Sequence, residues 1–467
     1  MARSGNSENS INLTSGAILP GILAMAIPLA ASSILQLVFN AADLAVVGNF
    51  GKEHSLAAVG STTALVNLTI TLFLGLSIGA NALVSRYFGA GDDSQISRGV
   101  HSSMLMSVLS GAFLTVVGIF MARPALIWMQ SPPETLELAT LYLRVYFCGA
   151  IPLMVYNFGC SILRAKGDTK RPMYYLAFAG VINVFLNLLF VIVFDLDVAG
   201  VALATSLSQC VSAALVTRRL MREEDAFRLE LSKLRLDGRI ALEILKIGVP
   251  AGFQGIVFAL SNVVIQSSVN GFGPTVMAAS AASQQIEGFV WLTMNSFSLC
   301  ALTFTSQNLG ARQYGRIDRV TITALLCCSV IGAALGNLAY YFGSTLLGCF
   351  DQDPEVIEAG LTRVYWVCCF YFTCGLMDCI VGSIRGMGYN ITPTVVSLLG
   401  ACGLRIIWIA TIFQVPRFHT EDVLFMSYPV SWVVTFLTHC VCYYFMRRRL
   451  HADEIKYSRT ANCAHEA

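Results

Sequence analysis

Long apolar stretches separated by short polar ones fill the chain from residue 17 to residue 446. About 20 mostly apolar residues let a helix cross the hydrocarbon core of a bilayer. Twelve stretches qualify: 17–47, 56–85, 100–122, 138–162, 173–194 and 198–220, then 241–269, 276–307, 320–347, 359–383, 393–413 and 422–446. The pattern predicts an all-α polytopic membrane protein with twelve transmembrane helices. Several stretches are longer than one bilayer needs, which predicts tilt, kinks or interfacial ends.

The residues that punctuate these stretches recur. Pro28, Asn40 and Phe50-Gly51 return 222 residues later as Pro250, Asn262 and Phe272-Gly273. Gly89-Ala90, Ile96 and Arg98 return 221 residues later as Gly310-Ala311, Ile317 and Arg319. Arg144-Val145-Tyr146 returns at an offset of 219 as Arg363-Val364-Tyr365. Arg164, Gly167 and Pro172 return at 221 as Arg385, Gly388 and Pro393. A nearly constant offset means two copies of one six-span unit. The single long polar connection divides them, giving an N-terminal tail (1–16), a first lobe (17–220), a linker (221–240), a second lobe (241–446) and a basic tail (447–467). An even number of spans per copy makes the repeats parallel, related by an axis along the membrane normal. The expectation is two pseudo-symmetric six-helix lobes facing each other across a cleft, with the site of an alternating-access transporter between them.

Charge sets the orientation. With the N-terminus inside, the inner connections hold Arg164, Lys166, Lys170 and Arg171, eight Lys or Arg around the linker, Arg312, Arg316, Arg319, and Arg447 to Arg449. The outer side holds only Lys52, Arg123, Arg144, Arg363 and Arg417. This bias places both termini in the cytoplasm of a multi-pass cell-membrane protein. Only 12% of residues are charged, against about 25% in soluble domains, so most of the surface must face lipid. A net charge of +2 provides no field for nucleic acid. The fifteen cysteines form no metal-ligand spacing and read as small apolar filler. No cleavable signal peptide is visible, because residues 1–16 are polar and the first apolar stretch outruns signal length.

Several segments resemble one family. LQLVFNAADLAVVGNFG (35–51), SLAAVGS (55–61), LRAKGDTKRP (163–172), GVALATSLSQ (200–209) and TSQNLGA (305–311) are similar to signatures of the multidrug and toxic compound extrusion (MATE) family, bacterial type. The resemblance covers residues 17 to about 446. It implies two lobes arranged as a V and a secondary antiporter, in which inward H+ or Na+ drives export of lipophilic, often cationic, compounds. No cofactor beyond the coupling ion, no partner beyond substrate and membrane lipid, and a monomer are expected.

An ionisable side chain inside a span costs about 2.5–3.5 kcal/mol on insertion scales, so each is a functional candidate. The interior holds Asp43, Glu287, Asp378 and Arg405. Gln36, Asn40 and Asp43 share one face of the first span; Asn183 and Asn187, and Thr205 and Gln209, are spaced i, i+4 on the fifth and sixth. One carboxylate among amide and hydroxyl oxygens suits a small hard cation or a proton. The resemblance carries an N-lobe cation site onto Asp43, Asn183, Asn187 and Thr205, with Na+ at Asp43 one option. Many relatives have an acid where Asn187 stands, a departure that weakens a sodium site here and leaves Asp43 as the lobe's only clear titrating group. The competing reading is an Asp capping the outer end of its helix near Gly48. Pro28 is a hinge candidate, with a static kink as the alternative because Pro250 matches it in a half with no matching acid.

In the second lobe, depth counted along ideal helices pairs Glu287 with Arg405, Asp378 being nearer the cytoplasmic side. The pair reads as a permanent salt bridge or as part of a coupling or substrate site. Trp291, Met294 and Phe297 at i, i+3 and i+6 could line a drug cleft, or pack within the bundle. Arg164/Gly167 and Arg385/Gly388 read as helix ends with a Gly stop. The chemistry is not duplicated: Asp43 falls opposite Val264 or Ile265, Asn157 opposite Asp378, and Arg405 has no basic counterpart near Val184.

Other classes fit less well. There is no GxxxxGK[ST], HExxH or GxSxG, so no ATP motor or hydrolase signature. A lipid-linked precursor flippase of the same superfamily is the alternative. A single Lys or Arg well inside a span, Arg405, favours cationic over anionic cargo.

Overall fold

The computed structural model describes residues 11–52 and 54–465, with side chains described through residue 451. Tail residues 1–10 and the last two residues of the expected basic tail lie outside the described residues. Sixteen α-helices follow one another: α1 Ile18–Phe50, α2 Ser55–Ala90, α3 Asp93–Trp128, α4 Pro133–Cys148, α5 Ala150–Lys166, α6 Lys170–Leu188, α7 Asp197–Met221, α8 Gly238–Asn270, α9 Pro274–Gly310, α10 Tyr314–Tyr341, α11 Gly343–Gly348, α12 Pro354–Cys368, α13 Tyr371–Gly386, α14 Ile391–Ser397, α15 Leu404–Ala410 and α16 Glu421–His465. Wide π turns extend α6 through Leu189–Val193 and join α14 to α15 through Leu398–Gly403. Among the described residues, eleven helical segments are long and apolar enough to cross a membrane, and α4 with α5, bent by 47°, makes a twelfth when the pair is counted as one span. Twelve spans were expected.

The helices form two compact units, one built on Leu23–Ile256 and the other on Val257–Ala467 with Ala17–Ile22. Helix α8 therefore contributes its first half to the first unit. Glycine explains the docking of that half. Gly75 and Gly79 on α2 meet Gly248 and Gly252 on α8, and a Cβ at Gly75 would stand 2.5 Å from the Gly248 carbonyl. Both pairs are G-x-x-x-G, spaced four residues apart so that both glycines lie on one helix face and the backbones approach closely.

The core of the first unit is aliphatic and aromatic, with Leu114, Leu126, Leu143 and Met154 fully buried. The second unit buries Phe413, Phe425, Tyr428 and Trp432. Large apolar side chains such as Phe120, Val181, Val330 and Leu399 are exposed along the middle of their helices, as lipid-facing residues are. Helix ends follow the expected Gly stops: Gly167 has φ +93° and Gly388 φ +96°, a left-handed turn that costs glycine little.

The linker is fastened to the first unit. Asp237 caps α8 by accepting from the Arg239 and Ile240 N–H groups, and it pairs with Arg98 on α3. The hydrogen bond from Arg98 holds the Asp237 carboxyl below its ordinary range. Buried Lys166 at the end of α5 pairs at 2.6 Å with both Glu223 and Asp225.

Candidate functional site

Helix contacts bring the first-unit polar residues together. Gly180 on α6 leaves room for the Phe39 ring of α1, where any Cβ would collide. Asp43 stands one turn beyond Phe39, while Asn183 and Asn187 stand one and two turns beyond Gly180, on the same faces. Asn187 Nδ2 donates to Asp43 Oδ1 at 2.5 Å. Thr205 Oγ1 on α7 reaches Asp43 Oδ2 at 3.3 Å. Asn187 Nδ2 also lies 3.4 Å from Asn183 Oδ1, and Asn183 Nδ2 lies 3.4 Å from Thr205 Oγ1. The four residues carried over by resemblance thus form one hydrogen-bonded cluster.

The cluster is incompletely satisfied. Thr205 has one hydroxyl proton but two acceptors in reach, Asp43 and the Val201 carbonyl at 3.0 Å. Asn187 Oδ1 is buried and, among the described residues, has no hydrogen-bond partner. A buried acceptor left unpaired costs about 1–3 kcal/mol, and a cation would relieve it. Carboxylate, amide and hydroxyl oxygens are the donors a hard cation takes. The π turn that begins at Leu189, directly after this cluster, is a feature frequent at functional sites.

Gln36 and Asn40 do not join. Both are exposed and, among the described residues, neither hydrogen-bonds to Asp43. A shared helix face spans a wide arc, and only Asp43 on that face points at α6 and α7. Pro28 lies inside an unbroken α1, with Ser32 Oγ donating to the Pro28 carbonyl at 2.8 Å.

The second unit corrects the pairing of charges. Glu287 on α9 is held by Arg363 on α12, through Nε at 2.6 Å and Nη2 at 3.0 Å, while Arg363 Nη1 donates to Ser280 at 2.7 Å. Arg405 is not its partner. Arg405 Nε donates to Ser431 Oγ at 2.9 Å, and its guanidinium lies 4.3 Å from the Tyr428 ring centre and 5.3 Å from that of Trp432. The physical reason is that Arg363, counted among the outer charges, is buried beside Glu287 and takes both of its carboxylate oxygens. Asp378 on α13 makes no ion pair or side-chain hydrogen bond among the described residues; its backbone carbonyl accepts from Ser298 Oγ at 2.7 Å.

The aromatic stripe divides. Met294 and Phe297 are buried, Met294 against Cys328 and close to Gly375 in the helix packing. Trp291 alone is exposed. Their spacing spreads them around α9, so they form no common wall. A residue missed by the sequence reading is Asp197, buried at the start of α7 with φ +49°; its Oδ2 accepts from Ser55 Oγ at 2.7 Å and its Oδ1 from the Lys52 N–H at 3.1 Å. The only signal was an acid in a short polar turn.

A family model described as MatE matches residues 28–189 and 250–411, one match per repeat. The chain is 25% identical over 421 residues to the probable multidrug resistance protein YoeA of Bacillus subtilis strain 168, covering 88% of this chain and 90% of that one. It is 23% identical over 436 residues to a FAD transporter of Shewanella oneidensis strain MR-1, covering 91% and 94%. A crystal structure of a MATE transporter in a bent conformation superimposes with a TM-score of 0.86 at 19% identity, covering 96% of this chain and 98% of the other. That likeness shows the fold.

Proposed function

The chain belongs to the MatE family of multidrug-efflux membrane transporters, and from that premise we propose that it is a secondary antiporter exporting lipophilic small molecules, cations among them, in exchange for H+ or Na+. Asp43 is the coupling carboxylate of this reading. The observation that carries it is the Asp43–Asn187–Thr205–Asn183 cluster, with an unpaired buried oxygen on Asn187.

The residues present fit either ion. A proton on Asp43 turns one of its two oxygens into a donor and removes the negative charge, which weakens its hold on Asn187 and Thr205 and lets the Thr205 hydroxyl turn toward the Val201 carbonyl. A sodium ion instead uses the two Asp43 oxygens with Asn187 Oδ1 and neighbouring amide or hydroxyl oxygens. Both change how α1 is tied to α6 and α7, which is the local event that a change of access requires. Both termini lie in the cytoplasm in this reading, from the arginine and lysine bias.

Proteoliposome efflux of a fluorescent lipophilic cation under separate sodium and pH gradients tests the proposal. Wild type is expected to follow at least one gradient, and Asp43→Asn is expected to lose gradient-driven efflux. Full gradient-driven efflux in Asp43→Asn removes Asp43 from coupling. Efflux indifferent to both gradients ends the antiporter reading.

A further inference from the structure

Helices α5 and α7 touch where Gly149 admits Ser206 and where Gly159 admits Val216. Beside that line of contact lies an open groove of about 700 Å³. Ile151 and Val155 of α5 and Cys210 and Ala214 of α7 wall it, and Arg218 and Arg222 stand at one end. The α7 residues recur every fourth position, so they form one stripe down one face. Cys210 and Ala214 are exposed, and their small side chains leave the room that makes the groove. From Cys210 to Arg222 the stripe runs about 18 Å at 1.5 Å per residue. That is close to one leaflet of a hydrocarbon core about 30 Å thick. The two arginines differ from their neighbour. Arg219 pairs with Glu223 at 2.6 Å, and Glu223 and Asp225 both hold Lys166. Arg218 and Arg222 are exposed, and among the described residues neither makes an ion pair with Glu223, Glu224 or Asp225.

We propose that this groove binds one anionic phospholipid, with an acyl chain lying along α5 and α7 and the headgroup phosphate on Arg218 and Arg222. The inference goes beyond the export reading and does not depend on it. Charge complementarity and length together name the occupant. Basic pockets between transmembrane helices take anionic headgroups, and arginine meets phosphate oxygens through paired N–H donors. The apolar part continues from the arginines to Cys210, near the middle of α7, where only hydrocarbon fits. A free phosphate would leave that length unfilled. A second copy of the chain seated here would bury both arginines while the neighbouring acids Glu223 and Asp225 are already committed, and a buried charge without a partner is costly. A bound lipid ties α5 to α7, and a ligand held only by the folded state stabilises it.

The test uses two probes with identical acyl chains and different headgroups: phosphatidylglycerol and phosphatidylcholine. Binding of the first lipid to the full, detergent-solubilised chain is followed by native mass spectrometry, and the thermal midpoint is read in the same mixtures. Wild type is expected to bind phosphatidylglycerol about tenfold or more tightly than phosphatidylcholine, the worth of two basic residues beside an anionic headgroup, and to gain more in midpoint from it. Arg218→Gln/Arg222→Gln is expected to lose that preference. Arg235→Gln/Arg239→Gln removes the same charge from exposed residues outside the groove and is expected to keep it. Ala214→Trp, which fills the apolar part, is expected to weaken binding of both lipids. Equal binding of the two lipids to wild type overturns the site. So does a preference that Arg218→Gln/Arg222→Gln leaves unchanged, or one that both double variants reduce alike. Unchanged lipid binding in Ala214→Trp overturns it as well; should that variant fail to fold, Cys210→Phe fills the same space and decides. A wild-type dimer that Ala214→Trp dissociates would give this face to a second copy and overturn the lipid site. Efflux of a lipophilic cation is scored separately, so loss of the export reading and loss of this site give different results.

Discussion

The Glu287–Arg363 pair is nearly dry, with side chains 10% and 4% exposed, and Arg363 also lies 5.3 Å from the Phe425 ring centre. Removing one partner of such a pair strands the other charge and costs about 3–5 kcal/mol, whereas replacing both with apolar groups is often neutral. Arg363→Met is therefore expected to lower the thermal midpoint of the detergent-solubilised protein sharply, and Glu287→Met/Arg363→Met to recover much of the loss. The double variant should also keep efflux of a lipophilic cation, which separates a structural bridge from a transport role; its failure to recover stability would show that the charges do more than cancel. Sequence reading found Glu287 but not its partner. Arg363 lies one turn from residues that read as an outer end, and it was counted among the outer charges, because α12 begins at Pro354, before the apolar stretch does. Asp43 was legible because a lone acid in an apolar run has few explanations. Its partners were named through family resemblance, and their contacts depend on Gly180 admitting Phe39, which no periodicity reveals.

At the level of helices, α2 packs on the first half of α8 backbone to backbone. A Cβ on Gly248 would stand 2.5 Å from the Leu76 Cα, and one on Gly79 2.5 Å from the Ile244 carbonyl, so neither site can give way by moving a flexible side chain. Gly248→Val and Gly75→Val are expected to reduce the folded, monodisperse fraction seen by size-exclusion chromatography. Gly60 is a control in the same α2: a Cβ there meets nothing within 4 Å. Gly60→Ala should be neutral or stabilising by about 0.5–1 kcal/mol, since glycine in a helix interior carries an entropic cost. If Gly248→Val behaves like Gly60→Ala, the crossing is looser than its geometry implies. The G-x-x-x-G spacings were present in the sequence, but the pattern names a close approach without naming the partner helix. The π turns were not legible at all, because no residue type specifies them. The Gly stops at Gly167 and Gly388 were legible, since few residues enter that backbone region cheaply.

Across the whole chain, the question of orientation turns on how α4 and α5 are counted. Together they run from Pro133 to Lys166, about 50 Å at 1.5 Å per residue, against a hydrocarbon core of about 30 Å. A 47° bend at Gly149 lets so long a segment cross once; a re-entrant pair would return to the side it left. The second repeat has a matching interruption between α12 and α13, at Cys369 and Phe370, close to the 221-residue offset from Gly149. A break kept in both copies belongs to the unit's design, and in the second copy Pro354–Gly386 qualifies as one span. Two crossings of the same kind give six spans per copy and put the segments around residues 168, 231 and 451 on one side, with those around 131, 272 and 416 on the other. The basic residues collect on the first set, which in the proposed reading is the cytoplasmic side. Alkaline phosphatase fused after residue 131 is therefore expected to be active, and after residues 168 or 231 inactive, while a fluorescent protein fused after residue 451 should glow. Activity at both 131 and 168, or at neither, would mean that α4 and α5 turn back. The copies would then be antiparallel, and the arginine bias would no longer place both termini inside.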